Sequence, residues 1–224
     1  MGKIEALQTE YGGHKFRSRL EARWAVLLDA LGADWEYEEE GAMTDAGAYL
    51  PDFKVRNVSA RFTDGVDGLP RDVWLEVKGE LTQEDLEKIK AFAWPGFDDR
   101  PYGKHVARMF IVGDIDEPWA AWEKYETKWM APETSRLNGD WFYHFDLLDG
   151  DCYPAWLTID QNGSVTFDGP DHDSLYEHWR LAEPAYVIAR RARFEHGETP
   201  TRQEVKDMFR RMSYTTPKER AKWW

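Results

Sequence analysis

Residues 73–79 read VWLEVKG, and the way this short run is read decides how the rest of the chain is arranged. Its alternation has the two-residue period of a half-buried strand, so Glu76 and Lys78 share one face while Val77 points to the other. A carboxylate and an ammonium at that spacing can serve one site, the first holding a divalent cation and the second orienting a water. Read alone, the same E-V-K is also an ordinary charge pair on the solvent side of a strand. Just upstream, YLPDFKVRNV at 49–58 gives a second strand, opened by Pro51 rather than interrupted by it. The polar stretch SARFTDGVDGLPRD joins the two. Such a connection predicts a hairpin, in which the start of one strand lies opposite the end of the other, and this brings Asp52 near Glu76 and Lys78.

Working outward, FRSRLEARWA at 16–25 begins a helix: Leu20, Trp24, Leu27, Leu28 and Leu31 recur at three- and four-residue spacing from about Ser18 to Ala30, with Gly32 as the stop. Ser18-x-x-Glu21 matches a capping box, so Glu21 is either a helix cap or a ligand for a metal or phosphate, and local chemistry does not choose. Arg17, Arg19 and Arg23 flank it, suited to bidentate phosphate contact or equally to a solvated helix face. ADWEYEE reads as a strand, and LTQEDLEKIKAFA as a helix with a Thr82 cap and an acidic first turn. RMFIVGDI reads as a buried strand. The order strand, helix, strand predicts a mixed α/β sheet.

Beyond Pro118 the chain is rich in aromatics. The expectations are a helix around Trp119 to Trp129, a strand in WFYHFDLL, and two strands, AWLTI and SVTFD, around an Asn162-Gly163 hairpin turn that extend the sheet. A long helix from about 174 to 194, interrupted or bent near Pro184, leads through the turn HGETP to a final basic helix, TRQEVKDMFRRM.

With 224 residues, 42% hydrophobic and 15% aromatic, the chain can bury a full core. No apolar run reaches the roughly 20 residues of a membrane span, and the opening MGKIEALQTE lacks the apolar centre of a signal peptide. The expectation is a soluble, cytoplasmic protein with no membrane partner. A single cysteine, Cys152, excludes a disulfide framework and a cysteine-built zinc site, and is expected to be structural. The net charge of −13 argues against simple electrostatic binding of DNA by the whole surface. Its distribution is uneven: residues 190–224 hold ten Lys and Arg against five Asp and Glu, a local +5, which leaves −18 on the preceding 189 residues.

The set in order, Glu21 in FRSRLEARWA, Asp52 in YLPDF, then Glu76-x-Lys78 followed by a helix with Lys88 and Lys90, resembles the PD-(D/E)XK nuclease superfamily, especially its small phage and actinobacterial members. The similarity covers about residues 11 to 93, and ARRARFEHGETP looks like a segment that accompanies this core in phage proteins. It implies a restriction-endonuclease-like core with a mixed central sheet flanked by helices over 1–113. An aromatic-rich strand and hairpin extension of the same domain follows over 114–172, and a helical segment with a basic tail over 173–224. The family pattern makes Asp52 and Glu76 ligands of Mg²⁺ or Mn²⁺, with the backbone carbonyl of Val77. Lys78 positions the attacking water, and Glu21 completes the acidic cluster. A carboxylate-held metal activates water at neutral pH and neutralises the pentavalent transition state. The Gln-x-x-x-Tyr motif of the exonuclease branch does not follow Lys78, which counts against processive end resection.

The leading expectation is therefore a metal-dependent deoxyribonuclease, acting in recombination, repair, genome processing or defence, in the host cytoplasm if phage-encoded and with a homodimer or a protein partner allowed. The alternatives are a nucleic-acid-binding or assembly protein on a nuclease-like scaffold, and an acidic mimic of DNA. Arg190, Arg191 and Arg193 precede HGETP; Arg202, Lys206 and Arg210 follow at four-residue spacing and are expected to line one helix face along a nucleic-acid backbone. His14, the histidine of DHD at 171–173 and His178 are expected to be surface histidines.

Overall fold

The computed structural model describes residues 8–61, 70–79, 81–93, 108–115, 143–145, 152–154, 156–168 and 175–214. In chain order, β1 (Thr9–Tyr11) and β2 (His14–Phe16) form a hairpin that turns on Gly12 and Gly13 at φ 58° and 88°, a left-handed pair glycine adopts freely. Helix α1 (Arg19–Leu31) follows, then β3 (Asp34–Tyr37), β4 (Ala42–Thr44), β5 (Gly47–Tyr49), β6 (Phe53–Arg61), β7 (Arg71–Val77), α2 (Gln83–Ala93) and β8 (Arg108–Val112). The later elements are β9 (Tyr143–Phe145), β10 (Cys152–Pro154), β11 (Trp156–Ile159), β12 (Val165–Asp168), α3 (Leu175–Arg191), one 3-10 turn (Phe194–His196) and α4 (Arg202–Ser213). The two short hairpins β1–β2 and β4–β5 are additions to the sequence reading. The helix expected at 119–129 lies outside the described residues.

The expected hairpin is present. β6 and β7 pair antiparallel with Phe53 opposite Leu75, Lys54 opposite Trp74 and Val55 opposite Val73. The register shifts between Val55 and Val58, at a bulge where Asn57 takes φ 55°, a value asparagine tolerates better than other side chains. Ser59–Ala60–Arg61, read from sequence as the start of a loop, instead continue β6. Ser59, Ala60 and Arg61 stand opposite Thr166, Phe167 and Asp168 of the parallel strand β12, a pairing set by tertiary structure.

The sheet runs β10-β9-β8-β7-β6-β12-β11, with β3 antiparallel to the first half of β6. β7 and β8 are parallel, with α2 in their connection, and the architecture is mixed α/β. β11 and β12 join around Asp160, whose Oδ1 accepts from Asn162 and Ser164 N–H at 2.9 Å, as the Asn-Gly turn predicts.

Strand parity divides the interior into two cores. Val73, Leu75, Val77, Phe110 and Val112 face α1, α3 and α4, with Trp24, Leu27 and Leu28 of α1 fully buried among them. Met109 and Ile111 face α2, where Ile89 and Ala93 meet Trp74, Phe92 and Tyr49. The helices stop where the sequence says they should: Ser18 caps α1 by accepting from Glu21 N–H, and Gly32 ends it at φ 75°. Thr201 and Glu204 form a full capping box on α4. α3 continues through Pro184. Among the described residues, no helix is long and apolar enough to cross a membrane.

Candidate active site

Four element ends converge at one end of the sheet: the first turn of α1, the start of β6, the end of β7 and the first turn of α2. The hairpin register puts Asp52, just before β6, beside the strand that carries Glu76, and Asp52 Oδ2 accepts from the Val77 N–H at 2.7 Å. Lys78 extends the ladder past the end of β7, its N–H donating to Val112 O at 2.8 Å, so Glu76 and Lys78 remain on one face. Their side chains pair at 2.9 Å. Glu21, Asp52 and Glu76 are all buried.

Each carboxylate has its own donors. Glu76 Oε2 accepts from the Tyr49 hydroxyl at 2.6 Å, while Lys78 is shared with Asp85 Oδ1 at 3.1 Å. Asp85 is held in turn by the Thr82 N–H and hydroxyl at 3.0 and 2.5 Å. Asp52 Oδ1 takes the Arg17 guanidinium at 2.5 Å, and the same Nη2 lies 2.9 Å from Glu38. Glu21 Oε2 accepts from the Arg17 N–H at 3.1 Å and the Tyr37 hydroxyl at 2.5 Å, and Oε1 from the Ser18 hydroxyl at 2.7 Å. At Glu21 the backbone and the carboxylate part company. Ser18 caps the helix, but the Glu21 carboxylate closes no box on the Ser18 N–H; it turns to Tyr37 and to the backbone of Arg17, the residue that holds Asp52.

Electrostatics distinguish Asp52 from its neighbours. Burial, then the charges of Glu76 and Glu21, push its carboxyl up to about 8, against the pull of the Val77 N–H and Arg17. Lys78 is held above its ordinary range: burial works against its charge, and Glu76 and Asp85 outweigh burial. The Tyr49 hydroxyl is pushed well up by burial and by Glu76, so it is a donor at every physiological pH. The three buried carboxylates Glu21, Asp52 and Glu76 thus share their two nearby cations, Arg17 and Lys78, with Glu38 and Asp85.

Other expected site residues fall elsewhere. Arg23, two residues and about 200° of helix beyond Glu21, donates to Ala192 O at 3.2 Å and ties α1 to the end of α3. Arg19 is partly exposed, as is Arg190 near the end of α3, while Arg191 is exposed. Lys88 pairs with Glu84 at 2.6 Å on the exposed side of α2. Lys206 and Arg210 are exposed on α4 as expected, but Arg202 is not part of an open basic face. Its Nε lies 3.2 Å from Asp29 and its guanidinium stacks 4.5 Å from the Trp35 ring, so it anchors α4 to the core. Val205 and Met212 are buried, which makes the tail helix part of the fold. His178 also corrects its expectation: it is buried, with Nδ1 2.9 Å from Asp168 Oδ2, in a cluster with Thr158 and Thr166. His14 is half-buried against Trp35, and burial followed by the Arg202 charge holds its imidazole below the ordinary range.

The sequence reading did not find Tyr37, Glu38, Tyr49 or Asp85. Asp85 had a signal, lying in the first turn of the helix after Lys78; Tyr37 and Tyr49 reach carboxylates 16 and 27 residues away in sequence. No protein-family model, curated protein or solved structure matches the chain.

Proposed function

We propose that the chain is a metal-dependent nuclease that hydrolyses phosphodiester bonds in DNA, on a restriction-endonuclease-like core. The observation that carries this reading is the convergence of Asp52, Glu76 and Lys78 on adjacent antiparallel strands, with Glu21 delivered to the same buried place by α1. Among the described residues no three His, Cys, Asp or Glu form a ready metal cage. Mg²⁺ does not ask for one, since it is commonly held by one or two carboxylates and keeps several waters. The donor set fits: each oxygen of Asp52 and Glu76 meets one donor among the described residues, which leaves a second lone-pair direction on each. Asp52, Glu76 and the Val77 carbonyl would hold the ion, with Glu21 behind them. The bound ion would supply a Lewis acid and an activated water.

The chain's own residues account for the rest. Lys78, kept charged by Glu76 and Asp85, holds a fixed positive charge where a phosphate oxygen approaches and can orient a water by hydrogen bonding. Tyr49 fixes the Glu76 carboxylate, and Tyr37 fixes Glu21. The test is incubation of the purified protein with single-stranded, duplex and branched DNA and with RNA, in Mg²⁺, Mn²⁺ or EDTA. Cleavage of DNA with either metal and none in EDTA is expected. Cleavage by Glu76→Ala at the wild-type rate would end this reading.

A second reading, a nucleic-acid-binding scaffold, is favoured by the engagement of Lys78 between two carboxylates. The same assay separates it, since a scaffold retains DNA in every buffer and cuts it in none.

A further inference from the structure

Arg17 holds an unusual position, and its role follows from three contacts at the mouth of the site. Its backbone N–H is held by Glu21, while its guanidinium Nη2 lies 2.5 Å from Asp52 Oδ1 and 2.9 Å from Glu38 Oε1. The two acceptors differ in setting: the Asp52 side chain is 3% exposed and that of Glu38 is 30%, with Arg17 itself 57% exposed. The guanidinium therefore spans the rim, with one acceptor in the interior and the other toward solvent. Glu38 is built for this place. Its backbone takes φ 49°, a left-handed value uncommon for a side-chain-bearing residue, and its N–H donates to the Asp52 carbonyl at 2.9 Å. That bond locks the Glu38 turn to the residue whose side chain Arg17 covers.

We propose that Arg17 is the site's resident cation: it occupies Asp52 until a divalent ion binds there, and then shifts wholly onto Glu38. The inference rests on the reading of Asp52 and Glu76 as metal ligands. A divalent ion on Asp52 repels a guanidinium on the same carboxylate with twice the force of one unit charge, and with Asp52 buried and Arg17 half exposed the repulsion is screened only in part. Glu38 supplies the guanidinium with a partner already in contact, so the exchange needs a side-chain rotation rather than a rearrangement of the backbone. Arg17 and the metal are then competing ligands of one carboxylate, and removing Arg17 strengthens metal binding.

The measurement is free Mn²⁺ by electron paramagnetic resonance during titration of the whole chain, which reads binding without any substrate. Arg17→Met is expected to bind Mn²⁺ roughly tenfold more tightly than wild type. Arg19→Met removes the same charge two residues on, without the contact to Asp52, and is expected to stay within about twofold. Glu38→Gln leaves Asp52 as the one carboxylate in contact with the guanidinium and should weaken Mn²⁺ binding by roughly fivefold. It decides the matter if Arg17→Met fails to fold, and an unchanged affinity would then overturn the inference. If wild type binds Mn²⁺ and folded Arg17→Met binds it no better, or Arg19→Met tightens it equally, the exchange is wrong and the metal site stands. If neither wild type nor Arg17→Met binds Mn²⁺, the metal reading itself falls and takes the exchange with it.

Discussion

Two buried carboxylates, Asp29 and Asp52, lie at similar depth and live in opposite electrostatic circumstances. Asp29, on α1, accepts from the Tyr11 hydroxyl at 2.8 Å and the Trp35 indole at 3.1 Å, and pairs with Arg202 at 3.2 Å. One negative charge meets one positive charge and two neutral donors. Asp52 shares its surroundings with Glu21 and Glu76, and the nearby cations, Arg17 and Lys78, are each divided with a further acid, Glu38 or Asp85. Burial alone therefore does not fix a carboxylate's electrostatic setting. Asp29 is a clasp that joins β1, α1, β3 and α4, whereas Asp52 belongs to a group in which acids outnumber the two cations they share.

The largest effect expected from this contrast is on catalysis. Asp52→Ala, Glu76→Ala and Lys78→Ala should each lower DNA cleavage by roughly 10³-fold, with native circular dichroism retained. Asp29→Ala should do the reverse, costing about 1–3 kcal/mol of stability in denaturant titrations because the Tyr11 hydroxyl and the Trp35 indole lose their buried acceptor. A stable Asp29→Ala protein would break the comparison.

A smaller effect is the pH dependence that Asp52 brings to stability. In the folded chain Asp52 titrates at about 8, against an ordinary value of 3.8. Between those values the folded state keeps a proton that the unfolded state has lost. The stability Asp52 contributes is therefore full below about pH 4 and lost as pH rises through about 8. Without metal, the melting temperature should fall over that window, and Asp52→Asn should flatten the fall and gain on the order of a few kcal/mol at pH 8. Saturating Mg²⁺ should restore wild-type stability there by binding the folded state alone.

The smallest effect concerns the exposed basic residues of α4. Truncation at Gly197 would remove Val205 and Met212 from the core, so the informative variant is Lys206→Ala with Arg210→Ala. If these residues follow a nucleic-acid backbone, the slope of log affinity against log salt should drop by about 2. An unchanged slope would leave them as a solvated face.

The contrast also shows which parts of the site could be read from sequence. The period-two pattern of VWLEVKG determines parity, and parity plus the hairpin brings Asp52 to Glu76 and Lys78. Ser18, Gly32 and Thr201 mark helix ends by local chemistry that needs no tertiary information. Tyr37 and Tyr49 were illegible because each reaches its carboxylate across 16 or 27 residues, Tyr37 from a strand paired to β6 and Tyr49 from a local hairpin outside the main sheet whose docking no short-range pattern reports. Arg202 misled for a different reason. Four-residue spacing says which side chains share a helix face, but not whether one of them bends inward, and a guanidinium can stack on Trp35 while its neighbours Lys206 and Arg210 remain in water.

The bulge in β6 also bears on the order in which the chain can be assembled. One edge of that strand is divided between β3 and β12, and Ser59 waits for Thr166, 107 residues further along. At a ribosomal pace of roughly 5–20 residues per second, β12 is made about 5–20 s after its place on the sheet exists. The hairpin that unites Asp52 with Glu76 needs only the intervening two dozen residues. A nascent chain thus gathers its acidic residues early, while the second half of β6 still presents unpaired backbone to its surroundings. That short open edge is where a chaperone, or a neighbouring nascent chain, has its opportunity.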